Sequence, residues 1–372
     1  MKKLSITIIL VICALFSSCT FLKIIRYNFS GIEDYKIFPK RQLPASSNHY
    51  HFAEKLIPNR VPAIYKDPDG NVISFIDLLV ETNTVAFLII KNDTLIYETY
   101  FNDYSDSSLS LSFSMAKSIT SILIGCAIDD SIIKSEYQPV TDFIPELKIN
   151  GFDRVSLKHL LQMTSGMDYK ESDNPFGIHV HFYYGSDLES KLISLKLKYE
   201  PGKKFEYKSG DNQLLGLILS RAIKPLTITE YFHQKLWEPM GMEYEGFWNI
   251  DKIDNGIEKT FCCIAATARD YAKIGQLFLN NGCWNGKQII SQNWVKKSTK
   301  VDTTDRSVSY YQYGWWLSTR ETDAYAATGH LGQYIYINPR TNTIIVRLGK
   351  SNGKFYHEKW LELFKYISDN IY

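Results

Sequence analysis

Strand patterns lie at the two ends of this 372-residue chain, and helical patterns fill the segment between them. Residues 85–90 and 94–101 are β-branched and aromatic runs around a Lys-Asn-Asp turn, which is typical of a hairpin. Residues 334–337 and 343–348 form a second such pair near the carboxyl end. Because each hairpin must bury an apolar face, we expect both to join one antiparallel sheet built from the two termini.

The middle of the chain predicts helices. Helix-spaced apolar residues mark residues 115–130, and similar patterns occur at 156–163, 212–222, 228–237 and 267–280. A further amphipathic pattern, residues 358–371, closes the chain. The sequence therefore predicts an α/β (α+β) fold, in which helices flank the antiparallel sheet and a mainly helical lobe is inserted.

The composition excludes some classes of protein. Hydrophobic residues make up 45% of the chain and charged residues 22%, which is incompatible with a long disordered or fibrous protein. The 42 Lys+Arg residues nearly balance the 40 Asp+Glu residues, so the formal net charge is +2. Because phosphate binding needs a clustered basic surface, we expect no nucleic acid as partner.

The amino terminus has the pattern of a secretory signal. Two lysines precede an apolar run (4–16) that is too short to span a bilayer, and two serines lead to Cys19. This ending resembles a bacterial lipobox, which implies a lipid on Cys19. A plain secretory signal or an uncleaved anchor is the alternative. We predict a signal at 1–18, a membrane-proximal arm at 19–60, and lipid anchoring to the bacterial cell envelope, at its periplasmic or outer-membrane face.

The cysteines are predicted to be structural. Cys13 leaves with the predicted signal, and if Cys19 carries lipid, the remaining ones are Cys126, Cys262, Cys263 and Cys283. An oxidising compartment permits a disulfide, and their pairing stays open. We expect the adjacent Cys262 and Cys263 not to bridge each other, because such a bond strains the backbone. No C-x-x-C pattern occurs, so a zinc ribbon is not expected.

The strongest candidate for chemistry is Ser114 with Lys117, at the start of the predicted helix 115–130. Residues three apart share a helix face, so the hydroxyl and the amine lie within reach of each other. The helix N-terminus also favours negative charge that develops on the serine oxygen. A buried lysine beside a serine can accept its proton. The same spacing at 131–134 and 351–354 lacks these surroundings, and we interpret those copies as a helix end and a turn.

Tyr207 and Ser209 lie on a loop that leads into the predicted helix 212–222. A phenol held near Lys117 could pass a proton between the nucleophile and the leaving group. By itself, however, Tyr207 is better explained as an aromatic that packs at the start of a helix.

His330, Gly332 and Gln333 precede the strand 334–337. A glycine there lets a ligand approach the backbone. The N–H groups of Gln333 and Ser114 could form an oxyanion hole, and His330 could hydrogen-bond to substrate. Taken alone, this stretch is as typical of a glycine bulge at a strand edge.

These three segments, Ser114-x-x-Lys117, Tyr207-x-Ser209 and His330-x-Gly332, resemble in order the three motifs of the penicillin-recognising serine hydrolases, in their class C β-lactamase-like branch. Over about residues 80–370, the chain is more closely similar to the nylon-oligomer (6-aminohexanoate-dimer) hydrolase group and related esterases. The segments that carry this similarity are SFSMAKS at 112–118, PVTD at 139–142, LLQMTSG at 160–166 and ATARDYA at 266–272.

The resemblance implies a β-lactamase/transpeptidase-like serine hydrolase domain at 61–372. It implies Ser114 as the acylated nucleophile, Lys117 and Tyr207 as the proton-transfer pair, and the amides of Ser114 and Gln333 as the oxyanion hole. It implies no metal and no organic cofactor.

The departures from the family pattern bear on the substrate. Class C β-lactamases carry Asn where Ser209 stands and Lys-Thr-Gly where His330, Leu331 and Gly332 stand. The Asn amide and the Lys cation would hold the side-chain amide and the carboxylate of a β-lactam, and this chain lacks both groups. The resemblance therefore implies a small-molecule amide or ester as substrate. The glycine pair usual before Ala266 is replaced by two cysteines, which alters the pocket wall. Two alternatives remain: a D,D-peptidase or β-lactamase that acts on peptidoglycan or β-lactams, and a non-catalytic envelope binding or sensor protein.

Three other patterns carry less weight. Residues 349–353 fit a Gly-x-Ser-x-Gly elbow, but only 19 residues follow, so we predict a turn. His179 and His181 lack a third metal ligand at a telling spacing, and we expect them on a loop beside the active-site mouth. The aromatics of 310–316 could line a cleft, although alternate members are expected in the core.

Overall fold

The computed structural model describes residues 19–66, 69–318 and 323–371, so the predicted signal segment 1–18 lies outside the described residues. Its helices are α1 (Cys19–Tyr27), α2 (Phe75–Glu81), α3 (Met115–Asp129), α4 (Leu157–Leu161), α5 (Ile178–Tyr184), α6 (Leu188–Ile193), α7 (Ser209–Ala222), α8 (Ile228–Phe232), α9 (Ala268–Leu279), α10 (Gln292–Thr299) and α11 (His357–Asn370).

The strands form two larger sheets and two short hairpins. They are β1 (Lys40–Leu43), β2 (Ala53–Glu54), β3 (Ile64–Lys66), β4 (Val72–Ser74), β5 (Thr84–Lys91), β6 (Thr94–Tyr100), β7 (Ser110–Leu111), β8 (Gly246–Asn249), β9 (Ile264–Ala266), β10 (Cys283–Trp284), β11 (Lys287–Gln288), β12 (Tyr311–Gln312), β13 (Trp315–Leu317), β14 (Tyr325–Gly329), β15 (Gln333–Asn338) and β16 (Thr343–Gly349).

The main sheet joins the two ends of the chain. In the described chain it has the order β12–β13–β14–β15–β16–β5–β6–β2. Its strands are antiparallel neighbours, apart from the parallel pair β2 and β6. The carboxyl-terminal strand β16 pairs with β5, with Thr343 opposite Lys91 and Leu348 opposite Ala86. Two hairpins from opposite ends of the sequence therefore close one sheet, which confirms the predicted architecture.

The main sheet is buried on both faces. Along β5, Leu88 and Ile90 contribute to the large core beside the helical lobe, whereas Phe87 and Ile89 contribute to a smaller core with α2 and α11. This division follows from the alternation of side chains along a strand. Helix α9 packs on β15, β16 and β5. The sheet is therefore a middle layer between helices.

Helix α3 connects the main sheet to the lobe. Thirteen of its residues are buried, and it contacts α7, β14 and β15. A helix that is enclosed on all sides has little freedom to shift, so its first residues are held in place. Strand β7, in the second sheet β1–β8–β9–β7, leads directly into that first turn.

The segment predicted as a membrane-proximal arm is built into the fold. It supplies β1 to the second sheet, opposite β8, and β2 to the edge of the main sheet. The predicted boundaries at residues 18 and 60 stay predictions. Across the described residues, no helix has the length and apolarity needed to cross a bilayer.

The predicted helices are confirmed with small shifts at their ends. Residues 228–237 begin as α8 and continue as a π-helix over His233–Trp237. The prediction that His179 and His181 lie on a loop is wrong, because both are in α5. Residues 350–356 lie outside helix and strand and include a turn at 353–354, as predicted.

Candidate active site

Ser114 lies at a sharp turn where β7 passes into α3. Phe113, just before it, has a φ of 44°, in the left-handed region that non-glycine residues rarely adopt. Ser114 then occupies the N-cap position of α3, and its carbonyl accepts a hydrogen bond from the Lys117 N–H at 3.0 Å. The turn leaves the Ser114 side chain at a cavity wall, beside the helix N-terminus.

Lys117 directs its amine at Ser114. The Nζ atom donates to Ser114 Oγ at 2.8 Å and to the carbonyl of Phe261 at 3.2 Å. The side chain is buried, and within the described residues it has no carboxylate as ion-pair partner. The amine is therefore held at hydrogen-bond distance from the hydroxyl, as the three-residue spacing predicted.

Tyr207 places its ring against the same amine. Lys117 Nζ lies 4.8 Å from the centre of the ring, which packs edge-on against Tyr311 and obliquely against Trp316. Tyr311 is buried and Trp316 is partly exposed. Of the aromatics at 310–316, Tyr311, Tyr313 and Trp315 are core, as expected for alternate members. None of the cluster is among the described lining of the cavity, and its contact with the site is through Tyr207.

Ser209 is engaged by a carboxylate that the sequence did not reveal. Its Oγ donates to Glu171 at 2.6 Å and its N–H to the same carboxylate at 2.9 Å. Glu171 therefore lies at the positive end of α7, where negative charge is favoured. The imidazole Nδ1 of His179 lies 3.6 Å from Glu171 and 2.9 Å from the hydroxyl of Tyr169. Burial lowers the pKa of His179.

The loop that contains His330 and Gly332 forms the opposite wall. The His330 ring packs edge-on against Phe113, with ring centres 5.4 Å apart, and burial lowers its pKa. Leu331 and Gly332 have φ values of 62° and 81°. A Cβ built on Gly332 would lie 1.9 Å from Arg347 Nη1, so only glycine fits there.

Arg347 holds this loop from behind. Its guanidinium donates to the carbonyls of Gly332, Leu331, Thr82 and Ser351 and lies 4.2 Å from the centre of the Trp360 ring. Burial lowers its pKa to about 9. Sequence reasoning missed this residue. The sequence feature that could have revealed it is that Arg347 is the single charged residue in the apolar strand 343–349.

Gln333 is fully buried. Its side-chain amide donates to the carbonyls of His330 at 3.0 Å and Gly349 at 2.6 Å. Any contact with substrate therefore falls to its main chain, and the oxyanion role of its N–H stays a prediction. Gly332 serves close packing in the structure, and Gly332 and Gln333 are absent from the described lining of the cavity.

A cavity of about 950 Å³ opens beside Ser114. Its described lining includes Ser209, Glu171, His179 and His330. Further lining residues come from the arm (Ile24, Asn28, Phe29, Ser30, Gly31, Ile32, Glu33), from α5 (Val180, Tyr183, Tyr184) and from elsewhere (Phe113, Ser172, Asp173, Pro175, Phe261, Cys262, Leu331, Lys350). The arm thus forms part of the mouth.

Cys262 and Cys263 are joined by a disulfide, so the expectation that neighbours would not bridge is wrong. In an extended strand, adjacent side chains point to opposite faces. Cys263 has a φ of 79°, which breaks that alternation and turns the two sulfurs together. Cys126 is buried and free, and Cys283 is half-buried and free. The side chain of Cys19, the predicted lipid site, lies outside the described residues.

The structure brings Ser114, Lys117 and Tyr207 together, with Ser209 and His330 on the walls of the same cavity. The part of the chain that the structure describes holds no cluster of three or more His, Cys, Asp or Glu able to bind a metal ion. The arrangement is suited to transfer of the serine proton to the amine and attack of the serine oxygen on a carbonyl carbon.

Comparison with known proteins gives the same family throughout. A family model described as Beta-lactamase matches residues 72–365. The 6-aminohexanoate-dimer hydrolase of Paenarthrobacter ureafaciens is 26% identical over 291 residues, which cover 73% of each chain. A solved Bacillus anthracis structure, assigned as a 6-aminohexanoate-dimer hydrolase, has a TM-score of 0.82 at 24% identity and covers 91% of this chain and 92% of that one. A penicillin-binding protein of Bacillus halodurans has a TM-score of 0.62 at 16% identity, over 79% of this chain and 99% of that one.

Proposed function

The chain belongs to the β-lactamase family of serine hydrolases, and from this premise we propose that it is an exported, lipid-anchored hydrolase that cleaves an amide or ester bond through an acyl-enzyme on Ser114. The observation that carries the proposal is the 2.8 Å contact between Lys117 Nζ and Ser114 Oγ, at a cavity wall and beside the ring of Tyr207.

The reaction begins with proton transfer. Lys117 Nζ accepts the Ser114 proton while Oγ forms a bond to the substrate carbonyl carbon. The oxyanion is held by the main-chain N–H groups of Ser114 and Gln333. Tyr207, coupled to Lys117, gives a proton to the leaving nitrogen or oxygen as the scissile bond breaks. Water then attacks the acyl carbon and gives its proton to the same pair. The bond from that carbon to Ser114 Oγ breaks, Oγ takes a proton back from Lys117, and the product acid leaves.

The cavity favours a neutral or cationic substrate over an anionic one. Glu171 and Asp173 both line it, as does Glu33 from the arm, whereas Lys350 is the lysine among its described lining residues. His330 stands where β-lactamases have a cation, and burial favours its uncharged form. A substrate carboxylate would meet net negative charge there, so β-lactams are disfavoured. The name of the Paenarthrobacter relative makes linear amides the first class to test.

Export and anchoring rest on the amino-terminal sequence. Two lysines, an apolar run and small residues before Cys19 fit a secretory signal with a lipid attachment site. A lipid on Cys19 would place the hydrolase directly at a membrane surface, since α1 begins at that residue. Intact-mass analysis of the envelope-associated protein would reveal loss of residues 1–18 together with acyl chains.

The test of the chemistry is pre-steady-state hydrolysis of p-nitrophenyl acetate and butyrate by the detergent-purified full chain. We expect a burst of about one nitrophenolate per active site, because acylation outpaces deacylation. Ser114→Ala should abolish the burst. Ser131→Ala is the matched control, since Ser131 has the same spacing from a lysine and is exposed.

Two outcomes would redirect the assignment. A burst that survives in Ser114→Ala would place the nucleophile elsewhere. No release from the wild-type protein, combined with a stable penicillin adduct on Ser114 by mass, would favour a penicillin-binding role.

A further inference from the structure

Helix α1 presents an apolar face to solvent next to the active-site mouth. Leu22 is 48% exposed, Ile25 is 53% exposed, and Phe29, just beyond the helix end, is 83% exposed. Leu22 and Ile25, three residues apart, lie on one side of the helix, and Phe29 follows its end. The opposite side carries Ile24, which is buried where α1 packs on α5. The helix is therefore fixed to the protein by one face, and among residues 19–66, 69–318 and 323–371 nothing covers the other.

The helix itself carries only positive charges, whereas the acidic residues Glu33, Glu171 and Asp173 lie around the cavity mouth. Residues 19–32 contain Lys23 and Arg26 and no acidic residue. Arg26 is exposed and Lys23 is half-buried. Apolar side chains flanked by basic ones match the interface of a membrane that contains anionic lipids, where each basic residue near the surface contributes about 1 kcal/mol. A soluble acidic protein would match the charges but not the exposed Phe29.

The chain upstream of α1 points to the same occupant. Residues 4–16 form an apolar run without a charged residue, and α1 follows within three residues of that run. Leu22 lies three residues beyond Cys19, which is about 4.5 Å along a helix. A membrane that holds the preceding segment, or a lipid on Cys19, therefore lies within one helical turn of the apolar face.

We propose that the face formed by Leu22, Ile25 and Phe29 docks on an anionic lipid surface and holds the mouth of the cavity at the membrane–water interface. The link to the cavity is direct, because Ile24 and residues 28–33 line it. The hydrolase then takes substrates that are presented at the membrane surface. This inference extends the proposed function, and the docking itself does not require turnover or a lipid on Cys19, since the face belongs to the chain.

The docking is tested without measuring activity. The full chain carries Cys283→Ser and one added cysteine, Ile25→Cys or Phe29→Cys, labelled with an environment-sensitive fluorophore. Ile149→Cys is the control, since Ile149 is 90% exposed and lies in a different segment. The parent without an added cysteine is subtracted. Each protein is reconstituted into vesicles of phosphatidylcholine with phosphatidylglycerol, with or without brominated acyl chains.

We expect the labels at 25 and 29 to shift to shorter wavelength and to be quenched by the brominated lipid, while the label at 149 stays water-like. Identical, water-like spectra at all three positions would overturn the proposal. A shift that follows protein density and is indifferent to lipid charge would also overturn it, because the face would then cover a second copy of the chain.

The consequence for substrate presentation is tested with Leu22→Ser/Ile25→Ser, whose residues are not among the described cavity lining. We expect hydrolysis of a long-chain p-nitrophenyl ester embedded in vesicles to fall on the order of tenfold, because two apolar anchors are lost. Hydrolysis of soluble p-nitrophenyl butyrate should be unchanged, which separates this proposal from the acyl-enzyme proposal. Equal loss on both esters, or no loss on either, would contradict membrane presentation. Ile149→Ser is the matched control.

Discussion

The floor of the active site and the wall opposite α5 are assembled in different ways. The floor is Ser114, Lys117 and Tyr207, and its central contact joins residues one helical turn apart. The wall is the loop with His330 and Gly332, held by Arg347, whose guanidinium also reaches the carbonyl of Thr82, 265 residues away in sequence. The geometry of one helical turn fixes the contact between Ser114 and Lys117. The pairing of strands from both ends of the chain fixes the loop with His330 and Gly332.

This difference separates chemistry from stability. Ser114 and Lys117 lie at the start of a helix that is fixed by many other buried residues, so a change there removes reactive groups with little loss of packing. The wall depends on a buried cation that satisfies several carbonyls at once. A change there leaves polar groups unpaired, which destabilises the fold. Variants should therefore divide into those that lose only activity and those that lose both.

The largest expected effect is on the floor. Lys117→Met removes the base but keeps an apolar chain of similar length, so we expect the acylation rate to fall about 10³-fold. The midpoint of thermal unfolding should change little, because each of the two hydrogen bonds that the Lys117 amine donates contributes about 1 kcal/mol. Stopped-flow nitrophenolate release and circular dichroism measure the two quantities. Lys134→Met, at the exposed copy of the spacing, is the control. A wild-type acylation rate in Lys117→Met would show that Lys117 is not the base for Ser114.

A change in the wall is expected to lower both the activity and the free energy of unfolding. Gly332→Ala adds a Cβ at a φ of 81°, 1.9 Å from Arg347 Nη1, and should lower the free energy of unfolding by about 2–4 kcal/mol. Activity should fall as well, since the Gln333 amide follows directly. Gly286→Ala is the matched control: its φ is 79° and nothing lies within 4 Å, so only the backbone cost of about 1–2 kcal/mol applies. Equal losses of unfolding free energy for the two variants in urea titrations would show that the Arg347 side chain moves aside without a measurable cost.

A third effect, which depends on pH, concerns the helix that lines the cavity opposite this loop. Lys259 is fully buried and donates to the carbonyls of Phe182, Tyr183 and Gly185 at the end of α5. Burial lowers its pKa to about 7, from an ordinary value of 10.5. Between these pH values the unfolded chain binds a proton that the folded one does not. Stability from this group is therefore fully present above pH 10.5 and is lost as pH falls through 7.

Wild-type protein should accordingly gain free energy of unfolding relative to Lys259→Met as pH rises from 7, by at most about 1.4 kcal/mol per pH unit. Urea unfolding across that range measures the difference, with exposed Lys134→Met as the reference for a lost surface lysine. Parallel stability curves for wild type and Lys259→Met would show that Lys259 stays charged when buried. Acylation at pH 8 should be close to the wild-type rate, in contrast to Lys117→Met.

The sequence predicted the main residues of the floor, but it did not predict Glu171 and Arg347, which hold the surrounding segments in place. Ser114 and Lys117 were found because helix periodicity converts a spacing of three into a contact. Glu171 was not found, because its contact joins a loop to Ser209, the first residue of α7, across 38 residues and leaves no periodic signal. Arg347 was missed for a related reason, since a charged residue in a strand usually faces solvent. The disulfide between neighbours was predicted wrongly, because an unusual φ at Cys263 decided it.

The sequence by itself determined the periodic elements, the joining of both termini in one sheet, and the serine and lysine on one helix turn. All of these depend on interactions between near neighbours or on the apolar pattern of a strand. Only the tertiary structure decided that α1 lines the active-site mouth, that His179 and Glu171 face the cavity, and that Arg347 supports the opposite wall. Those arrangements depend on contacts between segments far apart in the chain, whose partners are chosen when the whole core packs.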